Sequence, residues 1–195
     1  MSVPESRGHT LPASPRSEDP LWRVRVSLIW RIKKAAVPTQ PAMPWPLLLA
    51  ASLGGALTIA VLALTGDAVG TPILIAAFGS SCVLVFLLPD APLSQPVNVV
   101  GGHMVSALCG VLAHAFLPTE WWSLGLSVGV AMATMAALRI IHPPAGGTPI
   151  AILLAHESWG YLLTPILAGS LILTACAIAY RVLLHRLRER EGEQL

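Results

Sequence analysis

Residues 45–65 read WPLLLAASLGGALTIAVLALT, an uncharged apolar run with a tryptophan at its edge. A bilayer core takes about 20 such residues wound as a helix, and tryptophan anchors span ends at headgroup level. This run decides the fold class: it reads as a membrane-crossing helix, and the chain around it follows the rules of a lipid solvent. Composition agrees. Of 195 residues, 54% are hydrophobic and 11% charged, with a mean hydropathy of +0.70. A soluble domain carries about 25% charged residues, so lipid must solvate much of this surface. Of the twelve Lys and Arg residues, all but Arg139 lie before Trp45 or after Tyr180. The net charge of +2 therefore reports membrane orientation and gives no reason to expect a nucleic-acid partner.

Working outward, 1–44 reads as a cytoplasmic tail. Its first twenty residues are rich in Pro, Ser and charge, with no apolar run of the secretory type. Residues 20–36 (PLWRVRVSLIWRIKKAA) mix apolar and basic side chains. They fit either an amphipathic segment in the headgroup plane or a plain positive-inside flank. After the first span, further spans are expected at 70–88, with Thr71 and Pro72 as N-cap and first turn, then at 98–117, 121–139 and 160–184. The tail at 185–195 is charged and cytoplasmic. Residues 142–149 (HPPAGGTP) interrupt the pattern, and only 150–155 (IAILLA) stays apolar after them.

Basic residues at both ends place both termini inside, which demands an even number of crossings. The expectation is an all-α transmembrane bundle of about six crossings, one of them the short Pro/Gly-interrupted segment 143–157. The alternative is that 143–157 re-enters without crossing. The halves 45–117 and 121–184 each carry the tetrapeptide Gly-Thr-Pro-Ile, at 70–73 and 147–150. Parity points these two segments in opposite directions, the arrangement of a 3+3 inverted repeat.

Three small-residue clusters lie inside or beside the spans: Gly79-Ser80-Ser81, Gly101-Gly102-His103 and Ala145-Gly146-Gly147, the last following His142, Pro143 and Pro144. Such clusters serve either close helix packing or a ligand site, where freed backbone N–H groups face a small anion. Asn98 and Gln95 could orient a polar ligand or cap a helix. His103 and His114 share one helix face, and ionisable residues inside spans are functional candidates. Arg139 reads either as an entrance charge for an anion or as a topology anchor. Gly125, Gly129, Ala133 and Ala137 recur every fourth residue, the pattern of close helix–helix approach. Cys82, Cys109 and Cys176 share no metal-like spacing, no zinc or hydrolase pattern occurs, and carboxylates are scarce in the spans. No metal, cofactor or enzymatic activity is expected.

Two stretches resemble the HPP family of integral membrane proteins. One runs from Phe78-Gly79-Ser80-Ser81 through Pro89–Pro92 to Leu93-Ser94-Gln95-Pro96-Val97-Asn98-Val99-Val100-Gly101-Gly102-His103. The other is Leu138-Arg139-Ile140-Ile141-His142-Pro143-Pro144-Ala145-Gly146-Gly147. The resemblance covers about 45–185 and implies a small multispanning protein. Plant and cyanobacterial relatives are associated with nitrite transport. It departs at Val97, where a larger or basic residue is common, which removes one charge from an anion entrance. The resemblance implies a transporter or channel for a small inorganic anion in a bacterial inner (plasma) membrane. The expected substrate-binding residues are Gly79, Ser80, Ser81, Asn98, Gly101, Gly102, His103, His142, Pro143, Pro144, Ala145, Gly146 and Gly147. The rival reading is a non-transporting scaffold or regulatory subunit contacting its partner through 20–36. Because six short helices leave little internal volume for a pore, a homodimer or homotrimer is expected.

Overall fold

The computed structural model describes residues 40–192, and the basic segment 20–36 lies outside them. Six α-helices follow one another: α1 (Trp45–Val69), α2 (Ala76–Leu87), α3 (Pro96–Phe116), α4 (Trp121–Ala137), α5 (Thr148–Ala155) and α6 (Ala168–Gly192). No strand occurs among the described residues. The fold is an all-helical membrane bundle.

Three helical stretches are long and apolar enough to cross a bilayer: Trp45–Val69, Pro96–Phe116 and Trp159–Arg186. At 1.5 Å per residue the 25 residues of α1 extend about 37 Å, whereas the 12 of α2 extend about 18 Å. The N-terminus of α2 corrects the sequence expectation. Ile75 is the N-cap in extended backbone, and Thr71 and Pro72 precede the helix. The reason lies in the turn before it. Gly70 closes α1 in left-handed backbone (φ 66), and Gly70 and Thr71 donate to the carbonyls of Asp67 and Gly66. The chain then passes extended beside Gly66, where a Cβ would lie 3.1 Å from both Ile73 N and Thr71 O. In contrast, the second Gly-Thr-Pro-Ile starts a helix outright, with α5 opening at Thr148. The two matching tetrapeptides thus have different backbones.

The sense of each helix follows from paired contacts. Gly102 lies against His142, Gly110 against Pro149 and Ile152, and the ring of His114 against that of His156. Residues 142–156 therefore run along α3 in the same sense as α3 itself. Likewise Phe78 meets Gly169 and Phe86 meets Tyr180, so α2 and α6 are parallel. Buried Leu62, Ile73, Phe78, Val85, Phe86, Val99 and Leu173 join α1, α2, α3 and α6 into one core. Ala107, Val111, Ile152 and Ile166 form a second core around α5. Leucines 49, 53, 57, 64, 126 and 171 point outward, as a lipid-facing surface requires.

The approach to α6 is irregular. Trp159–Leu162 is a tight 3-10 turn, and Leu163–Leu167 is a wider turn with non-helical backbone at Thr164. From its sequence this stretch is expected to be part of one continuous span over 160–184. Gly125, Gly129, Ala133 and Ala137 are exposed, and a Cβ at Gly125 or Gly129 would meet nothing within 4 Å. Among the described residues, nothing packs against Gly125 or Gly129 on that face.

Candidate functional site

Three polar side chains from three separate segments meet in the interior. Ser81 comes from the middle of α2, His103 from the second turn of α3, and His142 from the connection between α4 and α5. All three have zero relative exposure. Ser81 Oγ lies 2.9 Å from His103 Nε2 and 2.9 Å from His142 Nε2, and 3.0 Å from the carbonyl oxygen of Ala77. His142 Nδ1 donates to the Leu93 carbonyl at 3.0 Å. His103 Nδ1 is buried without a hydrogen-bond partner. The His103 ring packs edge-on against Phe78 and His142, with centroids 5.1 Å away in each case.

Glycine makes this proximity possible. A Cβ at Gly102 would stand 2.6 Å from His142 Cβ and 3.2 Å from the Ile140 carbonyl, and one at Gly101 would meet Ile140 Cδ1 at 3.0 Å. The bare face of α3 thus accepts residues 140–142 at backbone distance. Polar side chains of α3 pin the rest of the interruption. Asn98 Nδ2 donates to Ile141 O at 2.9 Å, and Ser106 Oγ to Ala145 O at 2.6 Å. The Ile141 carbonyl gains a partner outside any helix, and the Ala145 carbonyl, within the 3-10 turn Pro143–Gly147 and already accepting from Thr148 N–H, gains a second donor. On the other flank Ser94 Oγ donates to Leu84 O at 3.2 Å. Arg181 of α6 donates to the Ser94 carbonyl, with a longer contact of 3.5 Å to Gln95 Oε1. A chain of contacts thus runs from Arg181 through the turn at Leu93–Ser94 to His142, Ser81 and His103.

The candidates from the sequence divide accordingly. Ser81, His103 and His142 form the cluster, and Asn98, Gly101, Gly102 and Ala145 build its frame. Gly79, Pro144 and Gly146 are half-buried, while Ser80, Pro143 and Gly147 are exposed, and none of these six contributes a polar side-chain contact. Arg139 is exposed at a left-handed φ of 60 past the end of α4. Gln95 faces Arg181. His114 sits toward the far end of α3 with His156, ring centroids 5.3 Å apart. Sequence reasoning missed Ser94 and Ser106 and treated Arg181 only as an orientation charge. The one available signal was that serines beside a helix break tend to bond loose carbonyls. Three clefts of about 490 to 520 Å³ lie along α1, and none is lined by Ser81, His103 or His142. Among the described residues no group of three or more His, Cys, Asp or Glu side chains could hold a metal ion.

Two transmembrane proteins of Dictyostelium discoideum are similar to this chain. One is 36% identical over 117 residues, covering 55% of this chain and 37% of its own length. The other is 32% identical over 114 residues, covering 54% of this chain and 40% of its own. This chain therefore spans about two fifths of the curated relatives it matches. No solved structure matches it. The family model for the HPP transmembrane region matches residues 40–190, which hold the whole cluster, and the chain belongs to that family.

Proposed function

We propose that this protein is a transporter or channel for a small inorganic anion, nitrite first, and not an enzyme. One observation carries the reading: two imidazole nitrogens converge at 2.9 Å on the single buried oxygen of Ser81, where helices are interrupted. A point that two ring nitrogens share around one oxygen is chemically suited to an acceptor oxygen, and both nitrite oxygens are acceptors. Rotation of the Ser81 side chain would leave that place to the anion. Polar groups buried at the junction of broken helices are also where transporters commonly hold their cargo. The nitrite association of plant and cyanobacterial HPP relatives agrees with an anion of this size. The reading takes the segment 143–157 as one of six crossings, both termini as cytoplasmic and the membrane as a bacterial inner membrane. In it the exposed small-residue face of α4 joins copies of the chain.

Purified protein in liposomes is expected to take up nitrite faster than empty vesicles do, and Ser81→Ala or His142→Ala to lower that rate at least tenfold. Equal rates with and without protein, across pH 6 to 8, would remove the proposal. A partner retained on the detergent-extracted protein together with equal rates would favour the scaffold reading.

A further inference from the structure

The hydrogen-bond geometry of the cluster carries a second conclusion, which rests on the anion-transport reading and deepens it. The Leu93 carbonyl can only accept, so His142 Nδ1 bears a hydrogen. Ser81 has one hydroxyl hydrogen and three neighbours at bonding distance: Ala77 O, His103 Nε2 and His142 Nε2. With the His103 hydrogen on Nε2, two arrangements bond both ring nitrogens to Ser81. With neutral His142, its Nε2 is bare and Ser81 must donate to it, while His103 Nε2–H donates to the Ser81 oxygen. The Ala77 carbonyl then receives nothing from Ser81. With protonated His142, both its ring nitrogens donate, one to Leu93 O and one to Ser81 Oγ. The Ser81 hydrogen turns to Ala77 O, and the N–H groups of both rings point at one oxygen. The arrangements differ by one proton, held on His142.

The second arrangement is the one that suits an anion, and the surroundings make the two charges depend on each other. His142 faces Ser81 from α2, His103 from α3 and the Leu93 carbonyl from the turn before α3. Arg181 of α6 is engaged with the Ser94 carbonyl beside that turn. Asp90, before the same turn, and Arg139, beyond α4, are exposed, and no described carboxylate is buried. Among the described residues an imidazolium there has no carboxylate counter-ion in hydrogen-bonding contact, and an anion there has no fixed cation in such contact. Each uncompensated charge is costly in such an interior, and together they neutralise one another. We infer that His142 is the proton-binding residue of an electroneutral cotransport, in which one proton enters the Ser81–His103–His142 cluster with each monovalent anion. Reciprocity follows: whatever factor the proton contributes to anion affinity, the anion contributes to proton affinity.

The test uses the full chain in liposomes loaded with a fluorescent pH dye, with an inward nitrite gradient and valinomycin to set the membrane potential. The lumen is expected to acidify at least threefold faster than in empty vesicles. Protein-dependent nitrite entry should be unchanged by an inside-negative potential and should rise at least threefold as external pH falls from 7.5 to 6.0. Nitrite entry without acidification above the empty-vesicle rate, slowed by the potential, would overturn the cotransport while leaving the transport reading intact. Absence of protein-dependent nitrite entry would end both. His142→Gln keeps a neutral polar side chain and should abolish the pH dependence of whatever uptake remains. A preserved pH slope in a variant that elutes as the native protein does would also overturn the assignment.

Discussion

Gly102 shows how narrow the tolerance of the site is. Its missing side chain leaves the space in which the His142 backbone lies, with a Cβ–Cβ distance of 2.6 Å were alanine present. Neither partner there is the loose end of a flexible side chain, so the frame itself would have to shift. Gly102→Ala is expected to destabilise the protein by about 1–3 kcal/mol, the usual range for overpacking, seen as a lower thermal midpoint in detergent. Ser81→Ala removes an oxygen without adding bulk, and the loss is chemical. It strands two buried ring nitrogens, at a cost of about 1–3 kcal/mol. Ser80, one residue earlier, is exposed. Its alanine variant should lie within about 0.5 kcal/mol of the parent. A Ser80→Ala loss as large as that of Ser81→Ala would mean the two serines have been assigned to the wrong faces of α2. Sequence reading singled out both serines but could not rank them. Which serine faces inward depends on how α2 is rotated against α3.

At the scale of elements, α3 is the beam against which the interruption is fastened. Asn98 and Ser106 hold the carbonyls of Ile141 and Ala145, on either side of the two prolines. Each single alanine variant should cost on the order of 1 kcal/mol, within the range for hydrogen bonds in membrane bundles. Because both bonds restrain one short loop, the double variant should not be additive. A double-mutant cycle on thermal unfolding is expected to give a coupling of at least about 0.5 kcal/mol. A cycle that closes to zero would show that the two anchors act independently and that the loop is held by its neighbours. The positions of α3 and α4 were legible to within about two residues, and that of α1 except for its last turn, which runs on from Thr65 to Val69, because a bilayer demands long uncharged helical runs bounded by anchors. The start of α2 was not. Thr-Pro suits the entrance of a helix at 148 and the extended chain at 71 alike, and only the packing against Gly66 selects between them.

For the molecule as a whole, the pairing of 142–156 with α3 places Asp90 and His156 toward opposite ends of the bundle. Asp90 precedes α3, whereas His156 lies beside His114 in its last turn. In a variant with Cys82, Cys109 and Cys176 replaced by alanine, Asp90→Cys is expected to react with a membrane-impermeant thiol reagent only from the cytoplasmic side. His156→Cys should react only from the other. Labelling of both from one side would refute the crossing of 143–157 in favour of the re-entrant alternative. Leucine at Gly125 and Gly129 should leave the stability of the single chain within about 0.5 kcal/mol, since nothing lies near either position. The same change should disrupt any dimer or trimer seen by native mass spectrometry, if the α4 face joins copies.

The membrane class, the broad placing of the helices and the identity of the chemically interesting residues were determined by the sequence alone. Lipid permits few ways to satisfy a backbone, and polar residues inside apolar runs stand out against it. The meeting of Ser81, His103 and His142, the bonds of Asn98 and Ser106 to the carbonyls of Ile141 and Ala145, and the reach of Arg181 to Ser94 were decided only by tertiary structure. They join residues 22 and 61 positions apart around Ser81, and 87 apart at Arg181. No local pattern encodes such pairings. They follow from how glycine-bared helix faces let one backbone settle against another.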